Sequence, residues 1–245
     1  MTAGKVRCGM ATRPSRQRTA KKVVRQLLPQ TDTLHLHLDG FQEIPNWARH
    51  PKITASIHAS GSKLGASGKL DAYHYASEND VIVMVDDDVR IAKNLISFLN
   101  RSIQAATGPV LYGFHGSILL PPINSYLTDR EVVPLGAELS ERRQVDVVAT
   151  CVSAFLKKDL KPIVDNWTVR NAVDLQLSID AQMQGVDRIL LPRTKNWLSF
   201  QDSFQPDSIY RQLVEEDSKQ THLARNLLAL TATDTKADVE PRHRH

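Results

Sequence analysis

The 245-residue chain is 41% apolar and 24% charged, the composition of a soluble globular protein with room for a sizeable core. Its apolar stretches fall short of the ~20 residues that cross a membrane, and Met1 leads into Lys5 and Arg7 without a secretory-type apolar run, so a cytoplasmic protein is expected. The net charge of +4 is uneven: residues 1–31 hold eight Lys or Arg and no acid, leaving 23 basic against 27 acidic residues; with 6% aromatic residues and no nucleic-acid motif, a solvated basic helix face is read rather than nucleic-acid binding.

Val6–Ala11 reads as a first strand, broken by Thr12-Arg13-Pro14-Ser15. Ser15 is placed to cap a helix running to about Leu28, with Val23, Val24, Leu27 and Leu28 on its apolar face and Pro29 beyond. Thr33–Leu38 reads as a second strand closed by the turn pair Asp39-Gly40, and Ile53–Ile57 as a short third. Residues 58–69 read as a Gly-, Ser- and Lys-rich loop, and Leu70–Ser77 as a helix. Val81–Val85 is an apolar run suited to a buried central strand. A helix is expected over Ile91–Gln104, a strand over Val110–Phe114, an irregular segment over 121–144, and a β-prone run over Val145–Phe155. Val173–Met183 is helical, Ile189 and Leu190 a short strand, and Ser208–Leu230 a helix.

The alternation predicts a single α/β domain, Rossmann-like, with a mostly parallel central sheet. It is expected over residues 1–205, with a C-terminal helix at 206–230 packing on it and a disordered tail at 231–245. The two cysteines, Cys8 and Cys151, make neither a disulfide framework nor a zinc site.

The chemistry is concentrated where the apolar run meets Asp86, Asp87 and Asp88. Three like charges repel, and a hard divalent cation held by carboxylate oxygens relieves that repulsion. Ligands of open α/β sheets bind beyond the carboxyl ends of strands, where this cluster lies. Strand alternation puts Asp86 and Asp88 on one face and Asp87 on the other, an Asp-x-Asp pattern. The competing structural reading makes Asp87 or Asp88 the cap of a helix through Ile91–Leu99.

Thr12, Arg13 and Arg16 sit at a strand end and a helix start, where N–H groups and guanidinium side chains face an anion. Asp39 is either an acceptor for a ribose hydroxyl or base N–H, or an ordinary turn residue beside Gly40. Lys69, in the Gly-rich loop, is placed to neutralise a phosphate. Asp174 opens a helix, where a carboxylate suits the macrodipole. His115 follows a strand; a lone His is usually structural. Arg193 and Lys195 suit a phosphate and Trp197 a sugar ring, or else a basic pair whose stems cover apolar surface beside a core Trp.

Seven segments taken together resemble one family. They are Met-Ala-Thr-Arg-Pro-Ser-Arg at 10–16, Leu-Asp-Gly-Phe-Gln-Glu-Ile-Pro at 38–45, Gly-Lys-Leu at 68–70, the run from Glu78 through Val89, Phe-His-Gly at 114–116, Val-Asp-Leu-Gln-Leu-Ser at 173–178 and Leu-Pro-Arg-Thr-Lys-Asn-Trp-Leu at 191–198. In order and spacing, over residues 5–198, the chain resembles GT-A-fold nucleotide-sugar glycosyltransferases, and most of all the capsule N-acetylglucosaminyltransferases of heparosan-type polysaccharides.

The resemblance implies a metal-dependent enzyme that moves a sugar, GlcNAc-like or another hexose, from a UDP-sugar to a glycan hydroxyl. It implies manganese or magnesium at the Asp-x-Asp pair, with Asp88 a direct ligand and Asp86 on the metal or its water, or on ribose. It places Thr12, Arg13, Arg16 and Asp39 around the nucleoside, Lys69 near the nucleotide, and His115 at the donor. Asp174 would serve in the sugar and acceptor site, taking the acceptor proton or stabilising positive charge at the anomeric carbon. The implied partners are the donor, a glycan acceptor and a partner glycosyltransferase, with at most peripheral membrane association.

Two stretches depart from the family. A Gly-Thr-Gly-Thr-like donor-sugar segment is replaced by Thr150-Cys151-Val152-Ser153, and Val89-Arg90-Ile91-Ala92-Lys93 lacks the usual aromatic and Pro residues. The first motivates an alternative, a nucleotide-sugar-binding subunit impaired in catalysis. A second alternative is an aspartate-nucleophile phosphatase, which also places Asp-x-Asp after an apolar strand.

Overall fold

The computed structural model describes residues 4–201, 213–214 and 217–237. Its frame is an eight-stranded sheet ordered β3-β2-β1-β4-β11-β6-β12-β9. These strands are β1 (Val6–Thr12), β2 (Thr33–Asp39), β3 (Ile53–His58), β4 (Val81–Val85), β6 (Val110–Gly113), β9 (Arg143–Gln144), β11 (Val152–Leu156) and β12 (Asp187–Leu190). β3, β2, β1 and β4 are mutually parallel, as are β6 and β12. β11 is inserted antiparallel between β4 and β6, and β9 lies antiparallel on β12. The sheet is therefore mostly parallel, as the alternating pattern predicts.

Helices cover both faces. On one, α1 (Gln17–Leu27) and α3 (Leu95–Gln104) pack through Val23, Leu27, Leu95 and Leu99 onto Cys8, Met10, Val83 and Val85. On the other, α4 (Val173–Met183) and the turn ahead of α2 (Asp71–His74) pack through Val173, Leu177 and Leu70 onto Ile82, Met84 and Phe155. Every side chain of β4 is fully buried, because both faces of this central strand are covered. A third cluster seats α5 (Ser218–Ala237) through Leu223, Ala224 and Leu227 against Leu175, Ile123 and Tyr126.

Several expectations are corrected. The segment after the acidic cluster is not helical at once: β5 (Val89–Arg90) pairs antiparallel with β13 (Ser199–Phe200), and α3 begins only at Leu95. Asp87 and Asp88 are therefore not its caps. Ser15 is not the N-cap residue of α1, a position Arg16 takes; it lies in a 3-10 turn, Pro14–Arg16, that precedes the helix. The segment 58–69 is not wholly loop, since Gly65–Leu70 forms a 3-10 turn, and the following helix is cut to Asp71–His74. The apolar run at 145–155 is split into β10 (Val147–Val148) and β11. β10 joins β7 (Gly116–Leu119) and β8 (Arg130–Val133) in a separate antiparallel sheet. α5 runs to Ala237, into the stretch expected to be a tail. Residues 202–212 and 238–245, and with them parts of the predicted C-terminal helix and tail, lie outside the described residues. No helix among the described residues is long and apolar enough to cross a membrane.

Candidate active site

Topology brings the polar residues to one edge. Because β1, β2 and β4 are parallel, Thr12, Asp39 and Asp86 all emerge at the carboxyl edge of the sheet. β11 runs the other way, with Val152 opposite Val85, so its amino end delivers Ala149–Cys151 to the same edge. The β6–β7 corner adds His115, and α4 presents Asp174 in its first turn. Between them lies a cavity of about 580 Å³.

Asp86, Asp87 and Asp88 line the cavity with Thr12, Arg13, Arg16, Asp39, Lys69, His115 and Asp174. Strict strand alternation does not survive, because the strand ends at Val85 and the chain turns over Asp87 and Asp88. Asp87 is buried; it accepts a 2.6 Å bond from the Thr12 hydroxyl and a 3.3 Å bond from Arg16 Nη1. The same Arg16 nitrogen donates to Asp88 Oδ2 at 2.8 Å. Lys69 Nζ pairs with Asp86 Oδ1. Burial pushes the Asp87 carboxyl up to about 7 against the pull of Arg16 and Thr12, with Asp88 and Asp86 adding to the rise. Asp88 is raised for the same reasons, burial first and then Asp86.

Lys69 is held by backbone crowding. A Cβ on Gly9 would sit 1.7 Å from the Lys69 carbonyl oxygen, and one on Gly68 would sit 2.1 Å from the His37 ring. These two glycines let the 65–70 turn lie directly on β1 and β2, which buries the lysine stem. Burial lowers the pKa of the Lys69 ammonium, but the Asp86 and Asp174 charges outweigh it and keep the ion protonated.

Asp174 Oδ1 accepts two bonds from Thr150, 2.8 Å from its N–H and 2.6 Å from its hydroxyl. His115 donates Nδ1–H to the Val133 carbonyl at 2.9 Å, and burial lowers its pKa, so the imidazole is neutral near pH 7. Asp39 Oδ2 lies 3.5 Å from Arg170, while its Oδ1 is buried with no hydrogen-bond partner. Such an atom is an acceptor waiting for a ligand donor or water.

Three predicted contacts lie elsewhere. Arg193 is buried outside the cavity, donating to the carbonyls of Pro134, Leu135 and Leu191 at 2.7, 3.2 and 3.2 Å. It fastens the 134–135 segment to the strand after β12. Lys195 is exposed and outside the cavity. Trp197 packs edge-on against Phe98 and Phe114, so it belongs to the core.

The cavity is also lined by Thr150, which opens the stretch that replaces the family's donor-sugar segment, and by Tyr126, Arg130 and Asn171, which sequence reasoning missed. Arg130 lies 4.0 Å over the Tyr126 ring, and its Nε is buried without a partner. Asn171 adopts φ 64° and accepts a 3.1 Å bond from the Ala66 N–H. Cys151 is buried, and burial followed by the nearby Asp86 and Asp174 charges keeps its thiol protonated.

The carboxylate cluster offers what a hard cation needs. Asp86 Oδ1 and Asp88 Oδ2 are engaged by Lys69 and Arg16; among the described residues Asp86 Oδ2 and Asp88 Oδ1 accept no bond. Among the described residues, the three carboxylates make ion pairs with Arg16 and Lys69, and an all-oxygen donor set suits manganese or magnesium. A second group, His37, His58 and Asp71, has ligand atoms within 4.8 Å of one another. Its two imidazoles are stacked at 3.8 Å and 19°. His37 Nδ1 lies 3.0 Å from Asp71 Oδ2 and His58 Nε2 3.1 Å from the Ser56 hydroxyl, so both rings are already engaged in hydrogen bonds.

No protein-family model matches the sequence, and no curated protein matches it. Among solved structures, the fold is similar to one described as a mycobacterial protein, at 12% identity and TM-score 0.51, covering 94% of this chain and 74% of that one. It is also similar to the mannosyltransferase PcManGT from Pyrobaculum calidifontis, described in complex with GDP-Man and Mn2+, at 14% identity and TM-score 0.47. That match covers 78% of this chain, and the chain spans 56% of the mannosyltransferase's length. The first likeness is one of fold alone, and the second is weaker.

Proposed function

We propose that the chain is a metal-dependent nucleotide-sugar glycosyltransferase of GT-A type that transfers a hexose, GlcNAc or a relative, from a UDP-sugar to a glycan hydroxyl. The observation that carries this is the meeting, in one cavity at the carboxyl edge of the sheet, of Asp86–Asp88, the cations Arg13, Arg16 and Lys69, and Asp174. Acidic oxygens for a cation, cations for a diphosphate, and a separate carboxylate for the sugar are the parts such a transfer needs.

Asp86 and Asp88 would hold manganese or magnesium, which when bound supplies positive charge against the departing nucleoside diphosphate. Arg13 and Arg16, at the β1 turn, face the phosphates. Asp39, with its partnerless Oδ1, accepts from the ribose or base. Asp174, held by Thr150, is the separate carboxylate of the cavity. Its carboxylate takes the proton of the acceptor hydroxyl as that oxygen attacks, or stabilises positive charge at the anomeric carbon. His115, neutral and anchored by Val133, presents an uncharged imidazole to the donor sugar.

The test is a thermal-shift screen of nucleoside diphosphates and their sugars, with and without Mn2+. Stabilisation that requires both metal and one base, followed by turnover of that donor, supports the proposal. Stabilisation without turnover favours a binding subunit. Asp86-dependent phosphate release from a plain phosphoester favours the phosphatase, and no metal-dependent response to any nucleotide overturns the proposal.

A further inference from the structure

We propose that Thr150 is a positioning residue for the transfer step, fixing the orientation of the Asp174 carboxylate and tying it to the lysine that holds Asp86. The inference rests on the transferase reading above and names a residue that reading does not require.

Thr150 sits in the break between β10 and β11 and is 2% exposed. Its N–H and its hydroxyl both end on one atom, Asp174 Oδ1, at 2.8 and 2.6 Å. A hydroxyl has one proton, and here it is given to Asp174, so the oxygen meets Lys69 as an acceptor, 3.3 Å from Nζ. Lys69 Nζ in turn pairs with Asp86. The two carboxylate groups are thus joined through a short chain, Asp174 to Thr150 to Lys69 to Asp86.

Helix α4 fixes the Asp174 backbone but leaves the carboxylate free to turn about its side-chain bonds. Two donors on one oxygen stop that rotation. They also leave Oδ2, on which no described bond ends, as the oxygen for substrate. Carboxylate placement matters steeply, since a displacement of about 1 Å costs on the order of 100-fold in rate. The departure at 150–153 from the family's Gly-Thr-Gly-Thr-like stretch therefore puts a hydroxyl at the first position, where that stretch has glycine.

Thr150→Val removes the hydroxyl at constant shape, and Thr150→Ala is the second deletion should the valine variant fold poorly. With the donor identified by the screen and saturating Mn2+, kcat is expected to fall by about 10- to 100-fold while donor KM stays within about threefold. Thr150→Ser is expected to restore most of kcat. A raised KM with kcat intact would make Thr150 a donor contact and overturn the proposal, as would no change in either. Should wild type show no metal-dependent nucleotide response, the transferase reading fails on its own, and the coupling is read from unfolding. Thr150→Val, Asp174→Ala and the double variant must then be clearly non-additive in their unfolding midpoints. Additive shifts would overturn the positioning role even with no activity to measure.

Discussion

The two ends of β4 are both acidic, and they are built on opposite terms. At the amino end, Asp80 alone accepts from Arg7 Nε at 2.6 Å, the Lys5 N–H at 2.9 Å and the Ser77 N–H at 3.0 Å. Burial raises its pKa, but these donors outweigh burial and hold the carboxyl below its ordinary value. At the carboxyl end, Asp86, Asp87 and Asp88 share two side-chain cations, and the Asp87 and Asp88 carboxyls are raised. One end is a finished joint between β1, β4 and the preceding turn. The other opens on a cavity, and two of its carboxyls are held above their ordinary range by burial and by one another, which is the electrostatic form of a candidate functional site.

The largest effects should fall on function at one end and on stability at the other. Asp86→Asn and Asp88→Asn are each expected to reduce donor turnover by roughly 100- to 1000-fold. The unfolding midpoint of Asp88→Asn should match wild type or rise, because a like charge is removed, whereas that of Asp86→Asn should fall, because buried Lys69 loses its ion partner. A large loss of stability in Asp88→Asn would make the cluster structural. Asp80→Ala is expected to do the reverse, costing roughly 3 kcal/mol of stability by leaving the half-buried Arg7 guanidinium unpaired. Its donor KM, measured in the cold where it remains folded, should be unchanged. Since the folded Asp80 pKa is depressed, its stabilisation is present above the ordinary Asp value and is lost as pH falls through the folded one.

How much of this contrast was legible in the sequence follows from what each residue depends on. The β4 run and its acidic end were plain, because composition alone marks a buried strand and a charge problem. The pairing of Arg7 with Asp80 spans 73 positions and was invisible until β1 and β4 lay side by side. Thr150 was named in the donor-sugar stretch, but its bonds to Asp174 were hidden for a related reason. Its role depends on β11 entering the sheet antiparallel, and an apolar run does not state its direction. Gly9 and Gly68 carried a local signal, since a glycine inside a strand or before a buried lysine implies close backbone approach. Arg193 was misplaced because an arginine suits a phosphate and a set of carbonyls equally well. Arg193→Lys therefore tests fold rather than binding: with its planar fork lost, a stability cost of about 1–2 kcal/mol is expected with donor KM unchanged. A tenfold rise in KM would return Arg193 to the site.

Asp87 is the residue on which the contrast turns, because it is buried and bonded like Asp80 yet shifted the other way. Asp80 has a guanidinium and two N–H groups to itself, whereas Asp87 has one hydroxyl and an Arg16 nitrogen shared with Asp88. Its folded pKa of about 7 lies above the unfolded carboxyl value near ~3.9. Between the two, the native protein keeps a proton that the unfolded chain has released, so stability falls as pH rises through that window and levels off above it. Asp87→Asn, which never ionises, should remove this slope. Urea unfolding in EDTA at about pH 5 and pH 7.5 would show wild type losing more stability than the variant across the interval. Equal changes would mean that Arg16 and Thr12 keep Asp87 ionised throughout, and that the carboxyl end of β4 is as fully paired as the amino end.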